Sequence, residues 1–385
     1  MKIILYCQHV WGVGHFFRTL EICRALSRHE IIMVTGGTAV SDALPGHIRE
    51  VRLPAIMTDR NYSRLYTTEK GKSLDQVLEK RQQIIAACFK DETPDLLIVE
   101  FYPFGRKAFR SELDPILKSI RNRTLYPSRV VCSLRDILVE KKDPEAYESR
   151  AIKSLNRYFD ALLVHSDPRL TRLDETFSRT ADIRIPVIYT GFVTPRPAPG
   201  AGLKLRRRLE IGPEETLIVA SAGGGKVGAT LIEPVIDAFR RLPAGSKRHL
   251  HVFCGPFMKA ADFKRLQSLA DKRVKVFRFT PDFLAYLEAA NLSVSMAGYN
   301  TCMNILSTRV PALVWPFPHD REQGLRAGRL QAAGALQVLA QEDLTAQRLA
   351  IRMAHRLSQP RPEKIDIDLD GAPNTARYLE ACGTD

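Results

Sequence analysis

The chain has 385 residues, of which 45% are hydrophobic and 26% charged, and a formal net charge of +14. That length gives room for two domains with cores of their own, and that composition excludes extensive disorder. Seven dispersed cysteines without a C-x-x-C pair exclude a disulfide framework or a zinc ribbon and suit reduced, buried thiols.

The opening M-K-I-I-L-Y-C-Q-H-V-W-G-V-G-H turns polar too soon for a signal peptide, and no apolar run reaches membrane-spanning length. A cytoplasmic protein is expected. Residues 3–7 read as a buried strand, after which Phe16, Leu20, Cys23 and Leu26 recur on one helical face. Gly12 and Gly14 therefore occupy a strand-to-helix turn, where another group can approach the backbone and helix amides favour an anion or a sugar hydroxyl. Phe17 stands where a dinucleotide fingerprint needs its last glycine, so the turn is not of that kind. His15 begins the helix. A side chain that accepts a proton near neutral pH, mounted at a strand end, suits a general base. An isolated histidine there would sooner bond to backbone, and it is the glycine turn that favours catalysis. His9, closer to the strand, reads as structural.

Apolar runs at 31–34, 96–99, 130–134 and 161–164 alternate with helical patterns, which implies a parallel sheet covered on both faces. Glu100 closes one of these runs, either to orient His15 or touch an acceptor, or as a solvated loop carboxylate. The following G-R-K-A-F-R mixes cations with Phe104 and Phe109, which suits an anionic membrane surface or an ordinary basic helix face. The prolines and glycines of T-P-R-P-A-P-G-A-G-L-K at 194–204 continue neither helix nor central strand. They mark a linker between an N-terminal, acceptor-side domain, 1–193, and a C-terminal domain, 205–360. A tail follows at 361–385, with a helix expected over 374–381.

The strand pattern restarts at 217–221, 250–254, 274–277, 292–296 and 312–315. In open α/β sheets ligands sit beyond the carboxyl ends of the strands, so two such domains facing across a cleft would hold the active site there. S-A-G-G-G-K-V-G, with Gly223, Gly224, Gly225 and Lys226, presents backbone N–H groups to phosphate or is simply a tight turn. Val227 follows Lys226 where a Walker A loop needs Ser or Thr, so that motif is excluded. Farther on, a strand ends at Met296, Gly298 opens a turn, and a short helix starts near Thr301. After the next strand come Pro316, Pro318, His319, Asp320, Arg321, Glu322 and Gln323. The arginines and lysines are dispersed, with no zinc-finger spacing or RNP-like strand, so no nucleic-acid partner is expected. The positive charge by itself suits any anion, whether a nucleoside diphosphate, an acidic phospholipid or nucleic acid, and does not choose among them.

Together, the G-x-G-H turn at 12–15, the glycine loop at 223–225 and the region 295–323 resemble the family 28 glycosyltransferases, which include the N-acetylglucosaminyltransferase that completes lipid II. E-F-Y-P-F-G-R at 100–106 and Y-T-G-F-V at 189–193 are similar to a branch of uncharacterised bacterial predicted glycosyltransferases. The resemblance implies the α/β GT-B fold, two doubly wound Rossmann-like domains facing across a cleft, and a nucleotide-sugar donor, with UDP expected. It implies that Gly298 and the backbone around Asn300 and Thr301 meet the diphosphate and that Gln323 holds donor-sugar hydroxyls. Asn304 stands where the family usually has a glutamate on the ribose. Asparagine still bonds a diol, without the charge-assisted component.

The expected chemistry is a single, inverting displacement in which His15 deprotonates an acceptor hydroxyl. Helix amides near Gly225 and Gly298, with Lys226 or Arg321, would stabilise the leaving diphosphate, so no metal and no cofactor beyond the nucleotide-sugar is expected. The acceptor is a sugar, a lipid-linked or a small-molecule hydroxyl, and a lipid-linked one would place the protein at the inner face of the membrane. Two other readings remain. The G-V-G-H-F-F-R turn is also similar to that of the nucleotide-sugar hydrolase of pseudaminic acid synthesis, which uses water as acceptor. Asn304 is compatible with a non-catalytic nucleotide-sugar-binding protein.

Overall fold

The structure, a computed structural model, describes residues 1–9, 14–37, 44–58, 65–138, 141–225, 227–243, 247–363 and 365–382. Gly12 and Lys226 lie outside the described residues. The chain divides into two compact units, one of Met1–Val193 with Ile367–Asp385, the other of Thr194–Asp366.

The first unit is built on strands β1 (Lys2–His9), β2 (Glu30–Gly37) and β3 (Ile48–Arg52), then an antiparallel hairpin of β4 (Ile56–Thr58) and β5 (Leu65–Thr67). It continues with β6 (Leu96–Glu100), β7 (Arg129–Arg135), β8 (Ala161–His165) and β9 (Val187–Tyr189). Among the described residues the sheet has the order β3-β2-β1-β6-β7-β8-β9, all parallel. Its helices are α1 (Gly14–Ala25), α2 (Leu74–Glu92), α3 (Arg110–Arg121) and α4 (Pro144–Tyr158).

Side chains alternate across a strand, so β1 feeds two cores. Ile3, Leu5 and Cys7 join Phe16, Leu20 and Cys23 of α1 on one face. Ile4 and Tyr6 join Ile85 and Phe89 of α2 and Leu113 and Leu117 of α3 on the other. Burial on both faces is why these strands read as unbroken apolar runs.

The second unit has α5 (Ala201–Arg208), β10 (Thr216–Ser221), α6 (Ala229–Arg240), β11 (Arg248–Phe253), α7 (Ala260–Gln267), β12 (Val274–Phe277) and α8 (Phe283–Ala289). Then come β13 (Leu292–Met296), α9 (Tyr299–Thr308), β14 (Ala312–Trp315), α10 (Arg321–Ala332), β15 (Gln337–Val338) and α11 (Ala346–Ser358). Its sheet is again parallel, in the order β12-β11-β10-β13-β14-β15. Ile218, Ala220, Val252 and Val294 pack against Leu231, Val235 and Phe239 of α6 and Leu349 and Met353 of α11.

Two boundaries differ from expectation. Helix α5 starts inside the stretch 194–204 expected to be a linker, because its prolines all precede Gly200, which takes φ 69 and turns the chain into the helix. The tail helix, α12 (Gly371–Ala381), begins earlier than 374, since Pro373 falls in a first turn, where no intrahelical N–H is needed. This helix belongs to the first unit. Ala372, Ala376 and Leu379 bury against Phe16 and Leu20, and Phe192 N–H donates to Asp368 O at 2.8 Å. Thus Y-T-G-F-V at 189–193 is where the returning segment docks: Gly191 has φ 85, and Asn374 Nδ2 donates to Thr190 O at 2.9 Å. No helix among the described residues is long and apolar enough to cross a membrane.

Candidate active site

Strand order in the first sheet reverses between β1 and β6, which are hydrogen-bonded neighbours. Side chains just past their carboxyl ends face one crevice. His15 lies in the first turn of the helix that follows β1, and Glu100 is the last residue of β6. His15 Nδ1 is 2.6 Å from Glu100 Oε1. An ionised carboxylate only accepts, so Nδ1 carries the hydrogen and Nε2 is left as the basic nitrogen. Arg18, one turn along α1, donates Nη2 to the same Oε1. Its 3.2 Å approach to His15 Nδ1 is that of two N–H groups sharing one acceptor. Arg106 Nη2 lies 3.5 Å from Oε2.

Burial decides the protonation of this group. It pushes the His15 imidazolium down to about 3, opposed by the Glu100 carboxylate and reinforced by Arg106 and Arg18. For Glu100 burial works upward, but His15, Arg18 and Arg106 together hold its carboxyl well below the usual carboxylate range. At neutral pH the pair is therefore a neutral imidazole beside an ionised carboxylate. Such an imidazole can take a proton on Nε2 while the carboxylate stabilises the imidazolium that forms.

Behind the pair lies a histidine that the sequence did not single out. His165, at the end of β8, is 0% exposed, with Nε2 2.7 Å from Ser133 Oγ and Nδ1 2.8 Å from Thr190 Oγ1. Ser133 pairs with Glu100 across β6 and β7.

The loop after Glu100 explains E-F-Y-P-F-G-R. Phe101 adopts φ 66, its N–H donates to Ser133 O at 2.9 Å, and its carbonyl accepts from Gly105 N–H at 2.8 Å. A Cβ at Gly105 would lie 2.2 Å from the Phe101 ring, so any larger residue there would have to displace that ring. The closed turn brings Arg106 back to Glu100. The Phe101 ring sits 5.8 Å from that of His15, with the guanidinium carbons of Arg135 and Arg106 at 5.2 and 5.9 Å from its centre. Arg18 and Arg106 were not among the expected site residues. For Arg18 a signal existed, since it falls three residues after His15 on the same helical side. The membrane reading of this run needs correction at the residue level. Phe104 and Phe109 are 0% and 1% exposed, drawn into core clusters, and Arg110 Nε donates to Asp114 Oδ2 at 2.5 Å, so the run offers no apolar anchor.

In the second sheet the order reverses between β10 and β13, whose ends pair Ser221 with Ser295. The loops following them hold Gly223, Gly224 and Gly225 on one side and Gly298 on the other, so these four expected residues come to neighbouring strand ends. Gly225 takes φ 91, and a Cβ on it would lie 2.3 Å from Cys254 O. Helix α9 has Gly298 as N-cap and no side-chain cap, and a Cβ at Gly298 would meet nothing within 4 Å. Its first turn contains Asn300 and Thr301; a helix N-terminus of this kind attracts anions. Asn304, half-buried, follows on the same helix, its carbonyl accepting from Thr308 Oγ1 at 2.8 Å. Arg321 opens α10 and is exposed. Gln323 has a role that was not anticipated: its Oε1 accepts from Phe317 N–H at 3.1 Å, and its Nε2 donates to Asp320 Oδ2 at 2.9 Å. To hold sugar hydroxyls the amide must exchange these bonds.

The expectation of no metal passed over one acidic run, Asp366, Asp368 and Asp370, which has D-x-D spacing. Asp368 accepts from Asp370 N–H at 2.8 Å and Asn374 Nδ2 at 3.0 Å, which commits it to docking the C-terminal segment. Among the described residues, no group of three His, Cys, Asp or Glu is placed to hold a metal ion.

Residues 219–364 match the glycosyltransferase family 28 C-terminal domain. The UDP-N-acetylglucosamine--N-acetylmuramyl-(pentapeptide) pyrophosphoryl-undecaprenol N-acetylglucosamine transferase of Methylobacterium radiotolerans is 29% identical over 153 residues, 39% of this chain and 42% of that one. The same enzyme of Hahella chejuensis is 32% identical over 161 residues, 41% of this chain and 44% of that one. The matched stretches thus span less than half the length of these relatives. Among solved structures, Acinetobacter baumannii MurG superposes with a TM-score of 0.61 at 14% identity, covering 99% of this chain and 100% of its own. The calicheamicin glycosyltransferase CalG4 gives 0.58 at 16% identity, covering 99% and 94%. The chain therefore has the GT-B glycosyltransferase fold, and its residues 219–364 match the C-terminal domain of the family 28 glycosyltransferases.

Proposed function

We propose that this protein is an inverting glycosyltransferase that moves a sugar from a nucleotide-sugar, with UDP as the nucleotide, to a hydroxyl acceptor. The observation that supports it most is the 2.6 Å bond between neutral His15 and ionised Glu100, in a chain that also carries a family 28 C-terminal domain. In this reading His15 Nε2 takes the acceptor's hydroxyl proton as that oxygen attacks the anomeric carbon from the face opposite the leaving group. The bond from that carbon to the diphosphate breaks, and configuration inverts. Glu100 fixes the imidazole tautomer and stabilises the imidazolium. The N-terminal turns of α6 and α9 stabilise the charge on the departing diphosphate without recourse to a metal. The relatives named above act on an undecaprenol-linked acceptor; an acceptor of that kind here would bring the protein to a membrane surface.

The test is incubation with a panel of UDP-sugars, with and without hydroxyl acceptors, following UDP release and the anomeric configuration of the product by NMR. Acceptor-dependent release with inversion is expected, falling about 10²–10⁴-fold in His15→Ala. Equal release in water alone would make the protein a hydrolase, and nucleotide binding without turnover would make it a binding protein. Either result overturns the proposal.

A further inference from the structure

In the first-unit site one arginine is held beside a buried carboxylate without a close bond to it. Glu100 is the carboxylate on which His15, Arg18 and Arg106 converge, with the side chains of Glu100, Arg18 and Arg106 only 0%, 3% and 11% exposed. His15 is neutral, and Arg18 and Arg106 both face that carboxylate in a region largely withdrawn from water. A buried N–H group without an acceptor is costly, and a ligand that supplies the acceptor removes that cost.

Geometry singles out Arg106. Glu100 Oε1 takes both the His15 and the Arg18 hydrogen bonds. Arg106 reaches Oε2 only at 3.5 Å, well beyond a charge-assisted bond, and its buried Nε has no hydrogen-bond partner. Among the described residues Glu100 is its one ion-pair partner. Arg81, in the same unit, shows what a structural arginine looks like here. It is 0% exposed, its Nε and Nη2 grip Glu112 at 2.8 and 2.7 Å, and two further hydrogens go to Gln8 Oε1 at 2.7 Å and Pro54 O at 2.8 Å. Arg106 has none of this saturation, yet it is held in place. The turn closed by Gly105 sets its backbone, and the Phe101 ring, on a residue at φ 66, flanks its guanidinium. Backbone of that kind is retained where a site requires it.

We infer that the site is built for an acceptor that carries an anionic group, a carboxylate or a phosphate, beside its reacting hydroxyl, with Arg106 as the residue that binds the anion. A guanidinium fork matches either group with two parallel hydrogen bonds. The anion accepts from the unsatisfied Arg106 Nε and sets the neighbouring hydroxyl toward His15. This inference rests on the proposed acceptor role of the first unit and adds the acceptor's chemical class.

The experiment is calorimetric titration of the full chain with glycerol 3-phosphate, D-glycerate and, as the neutral control, glycerol, each with and without saturating UDP, which occupies the donor site. At least one of the two anions is expected to bind where glycerol does not, and the one that does identifies the preferred group. Arg106→Gln should weaken that binding tenfold or more, and Arg106→Lys should restore part of it. Thermal unfolding and the response to UDP serve as the check that both variants are folded. Binding of UDP with no anion binding, or anion binding indifferent to Arg106, overturns the inference and leaves the donor reading intact. Arg106-dependent anion binding in a protein that ignores UDP would do the reverse.

Discussion

His15 and Glu100, 85 residues apart in the chain, are joined by a 2.6 Å bond between Nδ1 and Oε1. The bond depends on strand order, because only the reversal between β1 and β6 sets the turn after one beside the last residue of the other. It also fixes which imidazole nitrogen can act as a base, and so turns a topological accident into a testable chemical role.

Replacing Glu100 by Gln keeps the side-chain volume but removes the charge that holds the Nδ1 hydrogen. Turnover is expected to fall about 10²–10⁴-fold, the range for losing an effective general base, with UDP affinity unchanged. Because Arg18 then faces a neutral amide, the variant should also lose about 3–5 kcal/mol in denaturant unfolding. Steady-state kinetics beside calorimetry with UDP checks the first point. Unaltered turnover would remove Glu100 from the mechanism.

His165 makes stability depend on pH. Burial, and next the Arg18 charge, against the opposing effect of Glu100, push its imidazolium down to about 3, whereas an unfolded chain takes up that proton near about 6.5. Between those values the unfolded state binds more protons, so stability is full above about pH 6.5 and declines as pH falls toward 3. Each such histidine contributes a slope of up to about 1.4 kcal/mol per pH unit. In His165→Gln, which can still bond Ser133 and Thr190, the slope between about pH 6 and about pH 4.5 should shrink by roughly that amount. Urea unfolding at several pH values measures it, and an unchanged slope would mean that His165 is protonated in the folded protein.

What the sequence made legible follows from burial. Central strands covered on both faces read as unbroken apolar runs, so most of both sheets could be traced. The short edge strands β3, β9 and β15, only partly buried, carry no such run. His15, Glu100 and the glycine loops were visible because strand ends and glycines mark turns. Arg106 and His165 were not, since their positions depend on a loop that folds back and on strands paired far apart in sequence. Phe109 misled for a related reason. Its cationic neighbours suggested a surface, yet a 3-10 turn directs the ring onto Ile56 and Val77.

The two glycine loops of the second unit should answer differently to alanine. At Gly225 the backbone has φ 91, and the new Cβ would lie 2.3 Å from the Cys254 carbonyl, so Gly225→Ala should cost more than about 1–2 kcal/mol of stability. At Gly298 φ is −64 and nothing lies within 4 Å of the added methyl, so Gly298→Ala should unfold within about 0.5 kcal/mol of the parent. Any loss of UDP affinity in Gly298→Ala then reports a ligand that approaches the α9 N-terminus closely. Full UDP affinity in that variant would take the diphosphate away from Gly298.

Asn304 tests the ribose assignment by gain instead of loss. It lies on α9, one turn beyond the end expected to meet the diphosphate, half-buried and with its carbonyl already bonded to Thr308. Only its side chain would be available to a ribose diol. An amide offers that diol a neutral hydrogen bond, whereas a carboxylate offers charge-assisted ones, a difference of about 1–1.5 kcal/mol per bond or roughly tenfold in affinity. Asn304→Glu is therefore expected to bind UDP about tenfold more tightly, while UDP lacking the ribose hydroxyls should gain nothing. Calorimetry with both nucleotides separates the two effects. A variant that binds UDP no better, or binds both nucleotides equally better, would show that this helix position does not face the ribose.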